Sequence, residues 1–221
     1  TVPLQAPDLA IAELERCVVD LRLAGVEIGT HVGAWNLDAP ELFPFFARAA
    51  ELGAAIFVHP WEMLAPERMR KYWLPWLVGM PTESAIAIAS LIFGGVLERL
   101  PNLRICFAHG GGSFGALFGR LARGFETRPD LVAVDNVHPP EKYLGRFYLD
   151  SLTHDPATLR HLMTLVGANR IALGSDYPFP LGEACPGAMI EAMTDLSTVE
   201  REWLLFRSAL EFLDRPLEAF L

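Results

Sequence analysis

Short apolar runs alternate along the chain with stretches in which apolar residues recur at helical spacing. The apolar runs predict β-strands, and the stretches between them predict helices. The predicted strands lie at residues 25–32, 54–60, 103–112, 145–155 and 169–178. Strands that are separated by single helices imply right-handed βαβ units and therefore a parallel sheet.

Helix-start signals support this alternation. Asp38 is expected to cap a helix after the first strand, and Asp155 to cap one before the last strand. Ser197 and Glu200 have the spacing of a capping box in the C-terminal region. Further helices are predicted at residues 83–99 and from about 114 to 127.

The number of strands limits the choice of fold. Residues 1–4, TVPL, resemble the end of a sixth strand, whereas a closed (β/α)8 barrel needs eight. The prediction is an α/β fold, a (β/α)8 TIM-like barrel lacking its first two strands. An open sheet of five or six strands is the alternative. No linker or shift in composition divides the pattern, so residues 1–221 are expected to form a single domain.

Composition and charge exclude several classes of partner. The chain is 52% hydrophobic and 20% charged, which predicts a thick core. Its net charge of −9 argues against a nucleic acid or an anionic membrane surface as the main partner. No signal peptide is visible, and the longest apolar run, 85–97, is too short to span a bilayer. Cys17 and Cys106 lie in apolar stretches, as expected of core residues in a reducing cytosol.

Candidate chemistry recurs where the predicted strands end. Those ends carry His31, His59, His109, the 150–154 region and Asp176. Functional groups of parallel α/β folds collect at the C-terminal ends of the strands. Imidazole and carboxylate groups from different strands suit a zinc-like divalent metal.

Each of these residues also has a simpler explanation. His59 could be a buried, hydrogen-bonded histidine, and Asp176 could be a turn residue. His109 could be a third metal ligand or a general base. His31, one residue past Thr30, suits a metal ligand and a place beside the site about equally well. The other histidines are expected to be structural or to lie on the surface; they are His138, His154 and His161.

The stretch FAHGGGSF, residues 107–114, raises the question of a phosphate-binding loop. The chain has no GxxxxGK[ST] pattern and no GxGxxG in a strand-to-helix turn, and no lysine follows the glycines. The glycines are instead expected to allow a sharp turn and a close backbone approach to a ligand.

Two further segments are candidates for substrate binding. Residues 61–81, here called the aromatic segment, contain three of the five tryptophans and are too long for an ordinary βα loop. They predict either a pocket wall that presents aromatic faces to a planar substrate, or a surface buried against another subunit. The helix after His109 carries Arg120, Arg123 and Arg128, which form either a carboxylate clamp or an ordinary solvated face.

Six stretches together identify a resemblance that covers essentially the whole chain. They are GVEIGTHV, FVHPWEM, KYWLPWLVGMP, FAHGGGSF, GRLARGFETRPDL and LGSDYPFPLGE. The chain resembles the 2-amino-3-carboxymuconate-6-semialdehyde decarboxylases, which belong to the metal-dependent decarboxylase branch of the amidohydrolase superfamily. KYWLPWLVGMP narrows the resemblance from the branch to this family.

The resemblance implies a distorted (β/α)8 barrel of the metal-dependent hydrolase type, a single Zn2+ and a homodimer, whereas the expected cytoplasmic location rests on the cysteines. It implies that His59 and Asp176 are metal ligands and that His109 is the acid–base residue. The substrate-pocket residues that it implies are Trp76, Met63 and Phe179. Arg120 and Arg128 correspond to arginines that cross the dimer interface towards the neighbour's substrate carboxylates.

One departure from the family is large. The family's other two zinc ligands form an HxH pair on the first strand, and this chain has no HxH. The implied reaction is zinc-dependent, non-oxidative decarboxylation of the small dicarboxylate 2-amino-3-carboxymuconate 6-semialdehyde to 2-aminomuconate 6-semialdehyde. The alternatives are a related decarboxylase of an aromatic acid of the hydroxybenzoate type, a metal-dependent hydrolase, and a non-enzymatic binding protein built on a degraded barrel.

Overall fold

A computed structural model describes residues 1–220 of the chain. The strands are β1 (Gly25–Ile28), β2 (His31–Val32), β3 (Trp35–Asn36), β4 (Ala55–Val58), β5 (Arg104–Phe107), β6 (Tyr148–Asp150) and β7 (Ile171–Ala172). Five of them form a parallel sheet in the order β1-β4-β5-β6-β7, and β2 pairs with β3 as a small antiparallel ribbon. Sequential order in a parallel sheet is what successive βα units of a barrel produce.

The helices are α1 (Pro7–Glu15), α2 (Phe43–Leu52), α3 (Met80–Phe93), α4 (Val96–Arg99), α5 (Phe114–Thr127), α6 (Pro129–Val132), α7 (Pro156–Val166), α8 (Ala188–Ala192), α9 (Thr198–Glu202) and α10 (Ser208–Leu213). Wider π turns extend α1, precede α3 and join α9 to α10; they are Arg16–Asp20, Pro75–Gly79 and Trp203–Arg207. Short 3-10 turns occur at Pro66–Arg68, His109–Gly111, Pro140–Tyr143, Ala168–Arg170 and Leu217–Phe220.

The two faces of the sheet pack against different partners. Ile56, Ile105 and Leu149 are fully buried in the main core, which the helices α2, α3, α5 and α7 also supply. Alternate strand residues such as Cys106 point to the other face, where a smaller cluster includes Phe212 of α10. This second face is partly open, because a cavity of about 590 Å³ lies against it and is lined by Glu27, Phe57 and Cys106 among others.

The structure confirms the expected sheet and several helix starts. The Asp155 carboxylate accepts a hydrogen bond from the Thr158 N–H at 2.7 Å, and the Ser197–Glu200 capping box is present. Helix α5 covers the predicted residues. Cys17 and Cys106 are buried, and burial raises the pKa of the Cys106 thiol, which keeps it in the unreactive neutral form.

Three local predictions are wrong. Residues 1–4 form no strand but a turn that leads into α1, a helix that the apolar pattern did not reveal. Asp38 does not cap α2, because residues 37–42 form turns and the helix begins at Phe43. The helix predicted at 83–99 breaks at Gly94 and Gly95, where Gly95 takes a left-handed conformation with φ +70°.

The continuous helix from Pro75 to Phe93 is long and apolar enough, over 19 residues with mean hydropathy 1.5, to cross a membrane by length and composition alone. Half of that window is buried inside the molecule. The core helix of a soluble protein passes the same test, so this is only a weak indication of a membrane span. Ile88, Leu91 and Ile92 of this helix are fully buried in the main core.

Candidate metal site

Three chemically active residues converge at the C-terminal edge of the sheet. His59 directly follows β4, His109 lies two residues after β5, and Asp176 follows β7. Their ligand atoms all lie within 4.8 Å of one another. The sequence expectation that residues at separate strand ends meet is therefore realised in the structure.

The spacing of this metal triad (His59, His109 and Asp176) suits a divalent ion. The Nε2 atoms of His59 and His109 each lie 3.4 Å from Oδ1 of Asp176. Ligands about 2.1 Å from a tetrahedral metal lie about 3.4 Å from one another, so each histidine has the separation from Asp176 that neighbouring ligands have. Their side chains are 15%, 16% and 9% exposed, which leaves the ligand atoms open to a small ion.

Backbone conformation aims two of these side chains. His109 and Asp176 have φ of +57° and +52°, in the left-handed region that non-glycine residues enter at a cost of about 1–3 kcal/mol each. The turn after β5 continues in that region through Gly110, Gly111 and Gly112. Only glycine adopts a run of such conformations cheaply.

The buried side chain of Asp150 fixes this turn through hydrogen bonds to the backbone. Its buried carboxylate Oδ1 accepts hydrogen bonds from Gly110 N at 2.9 Å and from Leu152 N at 3.0 Å. Burial raises the pKa of Asp150, while the charge of a protonated His109 and the backbone N–H donors act in the opposite direction. Sequence reasoning noted the 150–154 region at a strand end but did not assign Asp150 this role.

The last glycine of the turn predicts a stability effect. A Cβ at Gly112 would lie 2.2 Å from the Pro81 carbonyl oxygen, and the residue has φ +62°. We expect Gly112→Ala to destabilise the protein by at least about 3 kcal/mol, because strain and a backbone clash combine. The measurement is urea unfolding followed by tryptophan fluorescence.

Gly119 on α5 provides the matched control, since nothing lies within 4 Å of its Cβ position. Gly119→Ala should be neutral or stabilise by up to about 1 kcal/mol through helix propensity. Equal unfolding midpoints for the two variants would contradict the close packing of the glycine turn against Pro81.

A cavity of about 270 Å³ opens beside the metal triad. Trp73, Trp76 and Phe179 supply aromatic walls, and Phe179 lies parallel to the His59 ring with centroids 6.1 Å apart. Trp76 and Phe179, which the resemblance implies for the substrate pocket, line this cavity, and so does Trp73 of the aromatic segment, which was expected to form a pocket wall. Met63 was expected in the substrate pocket, but it is not among the described residues that line this cavity. Its side chain packs against Gly79 instead.

The remaining histidines have mixed positions. His161 Nε2 lies 3.1 Å from Gly115 O, and His138 Nε2 lies 3.5 Å from Glu98, which agrees with structural roles. His154 was also expected to be structural, but it contributes to the cavity wall, with φ +59°. Its position at the end of β6 was the only signal available in the sequence.

The predicted carboxylate-binding arginines lie apart from this chain's own cavity. Arg120 is exposed on α5, and Arg128 follows the same helix. Arg128 donates to both carboxylate oxygens of Asp130, at 2.8 and 2.7 Å. Their exposure leaves them available to another subunit, and their role there stays a prediction.

Comparison with known proteins gives three findings. Residues 1–215 match the family model described as Amidohydrolase. The chain is 53% identical, over 96% of its length, to 2-amino-3-carboxymuconate-6-semialdehyde decarboxylase of Dictyostelium discoideum, and 38% identical, over 91%, to the Caenorhabditis elegans protein of the same name. It spans 59% and 58% of those two relatives.

The fold also matches a solved structure. A dihydroxybenzoic acid decarboxylase from Polaromonas sp. JS666, with bound manganese and the inhibitor 2-nitroresorcinol, superposes with a TM-score of 0.81. The match covers all of this chain and 70% of that one at 22% sequence identity. At that identity the likeness establishes the barrel-type fold.

Proposed function

Because the chain belongs to the amidohydrolase family, we propose that it forms the metal-binding and substrate-binding part of a zinc-dependent decarboxylase. The proposed substrate is 2-amino-3-carboxymuconate 6-semialdehyde, and the product is 2-aminomuconate 6-semialdehyde. The observation that carries the proposal is the metal triad beside an aromatic cavity. The 53% identity to the Dictyostelium discoideum decarboxylase supports this substrate over others.

Within this proposal His59 and Asp176 hold the metal. Two further ligands are expected from an HxH pair, as the resemblance implies. Imidazole donors favour zinc, whereas manganese prefers oxygen ligands, although the manganese bound by the Polaromonas relative makes manganese a reasonable alternative. A bound zinc ion would supply Lewis-acid polarisation and activation of water near neutral pH.

His109 carries the proton in the proposed reaction. Decarboxylation breaks the bond between the carboxylate carbon and the conjugated chain, CO2 leaves, and a proton must reach the carbon that bore it. The His109 Nε2, at 3.4 Å from Asp176 Oδ1, faces the same space as the metal ligands. An imidazole changes its protonation near neutral pH, which suits transfer in both directions.

The cavity walls fit a planar, conjugated substrate. Trp73 and Trp76 stack on each other with ring centroids 5.8 Å apart, and Phe179 lies on the His59 side of the cavity. Flat aromatic faces exclude water and orient a planar molecule at the site. We infer a cytoplasmic homodimer in which Arg120 and Arg128 reach the neighbour's cavity and bind the substrate carboxylates.

The assay for this function is direct. Zinc-loaded full-length protein should remove the near-UV absorbance of 2-amino-3-carboxymuconate 6-semialdehyde, and a chelator should stop the reaction. The chelated enzyme should recover on addition of zinc. No loss of absorbance, together with turnover of a dihydroxybenzoate, would favour the aromatic-acid decarboxylase instead.

A further inference from the structure

His31 lies outside the metal triad, yet its ring is held from both sides. Nδ1 lies 3.1 Å from the Gly33 carbonyl oxygen, and Nε2 lies 2.9 Å from the Glu62 carbonyl oxygen. A carbonyl oxygen only accepts hydrogen bonds, and a neutral imidazole has a single N–H to donate. Both contacts are hydrogen bonds only if the ring carries two N–H groups, which makes it an imidazolium cation.

A buried carboxylate faces this cation. Glu83, in the first turn of α3, is 5% exposed, and its Oε2 lies 3.9 Å from His31 Nε2. Its other oxygen accepts a hydrogen bond from Leu64 N at 2.7 Å. An unpaired buried carboxylate costs several kcal/mol. The imidazolium provides the opposite charge, and the two groups form an ion pair with their N and O atoms 3.9 Å apart.

The groups around His31 come from three parts of the chain. The β2–β3 ribbon supplies the Gly33 carbonyl, the aromatic segment supplies the Glu62 carbonyl, and α3 supplies the Glu83 carboxylate. Within the described residues, Glu83 is the carboxylate that lies within 4 Å of a ring nitrogen of His31. The arrangement is therefore a cation enclosed by acceptors.

The contacts of His31 and Glu83 connect the two ends of the aromatic segment. Glu62 and Leu64 stand at its beginning, and Glu83 lies just after its end, 19 residues from Leu64. Before the helix begins at Pro75, the only regular element of the segment, all of which the structure describes, is the short turn Pro66–Arg68, and Tyr72 and Trp73 have φ of +60° and +56°. A segment with such strained positions keeps one conformation only when its surroundings hold it.

We propose that His31 and Glu83 are positioning residues, and that their imidazolium–carboxylate pair clamps the aromatic segment so that Trp73 and Trp76 form the cavity wall. Neither residue contacts substrate; both act through the segment that they hold. The functional consequence rests on the proposed decarboxylase activity, whereas the charge state of the pair does not.

The first experiment measures the charge state in the full-length protein. Nitrogen-15 NMR of labelled histidine should show both His31 ring nitrogens protonated at neutral pH, with assignment by loss of the signal in His31→Phe. A neutral His31 ring in the unmodified protein at pH 7 would overturn the proposal, whatever the enzyme's activity.

The second experiment measures the consequence for substrate binding. His31→Phe and Glu83→Gln should each raise KM by about tenfold or more, because the ion pair that holds the segment is lost from a largely buried position, with kcat and bound metal nearly unchanged. The double variant should raise KM about as much as either single variant, and by clearly less than the two effects combined, because both substitutions remove the same interaction. His138→Phe, in an exposed loop, is the matched control and should keep the original KM. Unchanged KM in both clamp variants would overturn the positioning role.

Discussion

Asp176→Asn should remove bound metal and turnover from the full-length protein while leaving its fold intact. The carboxylate lies 3.4 Å from the Nε2 atoms of both His59 and His109, so it is the shared anionic member of the metal triad. An amide of the same shape carries no charge and is a poor ligand for zinc. We expect metal affinity to fall by more than about 100-fold, which exceeds the usual effect of residues that only orient ligands.

Metal content after dialysis and kcat/KM at saturating zinc are the two measurements. Asp8→Asn, at an exposed position in the first turn of α1, is the matched control and should keep both values. Circular dichroism and the unfolding midpoint check the fold. If Asp176→Asn kept its full metal content at limiting zinc, Asp176 would be a turn residue and the metal site would lie elsewhere.

The convergence of His59 and Asp176, 117 residues apart, was predictable because it follows from topology. Alternating strand and helix patterns force a parallel sheet, and a parallel sheet brings its C-terminal strand ends to one edge. Local chemistry was also readable, as the Asp155 cap and the Ser197–Glu200 box show. The two caps were readable because each depends on residues within three positions of one another.

Features set by tertiary contacts were not readable. Asp38 has the chemistry of a helix cap, but burial of Leu37 and Leu42 fixes a turn there and delays the helix to Phe43. Met63 packs against Gly79 because the aromatic segment folds back on the start of its own helix.

The same limit applies to the clamp. Glu83 lies in a strongly apolar stretch, and its partner His31 is 52 positions earlier in the sequence. No periodicity or motif connects them, because the contact exists only once the aromatic segment has folded over the β2–β3 ribbon. Asp150 was hidden for a similar reason: its function is to accept N–H groups from the turn after a different strand.

His109→Asn should lower kcat by about 10²- to 10⁴-fold while the protein keeps its metal, since that is the range for loss of a general acid or base. Asparagine is the appropriate replacement because His109 has φ +57°, and asparagine tolerates the left-handed region better than alanine does. The unfolding midpoint should therefore change little. His138→Asn in an exposed loop should leave kcat unchanged.

The His109→Asn variant distinguishes between two possible roles of His109, metal ligand and proton carrier. His59 and His109 have the same 3.4 Å relation to Asp176, so distance alone does not distinguish a ligand from a proton carrier. A proton carrier leaves the metal in place when it is removed, and the pH profile of kcat then loses one of its limbs. A ligand takes the metal with it, and activity returns in part at high zinc concentration. Loss of metal in His109→Asn would therefore show that His109 is a third ligand and would leave the proton transfer to another group in the cavity.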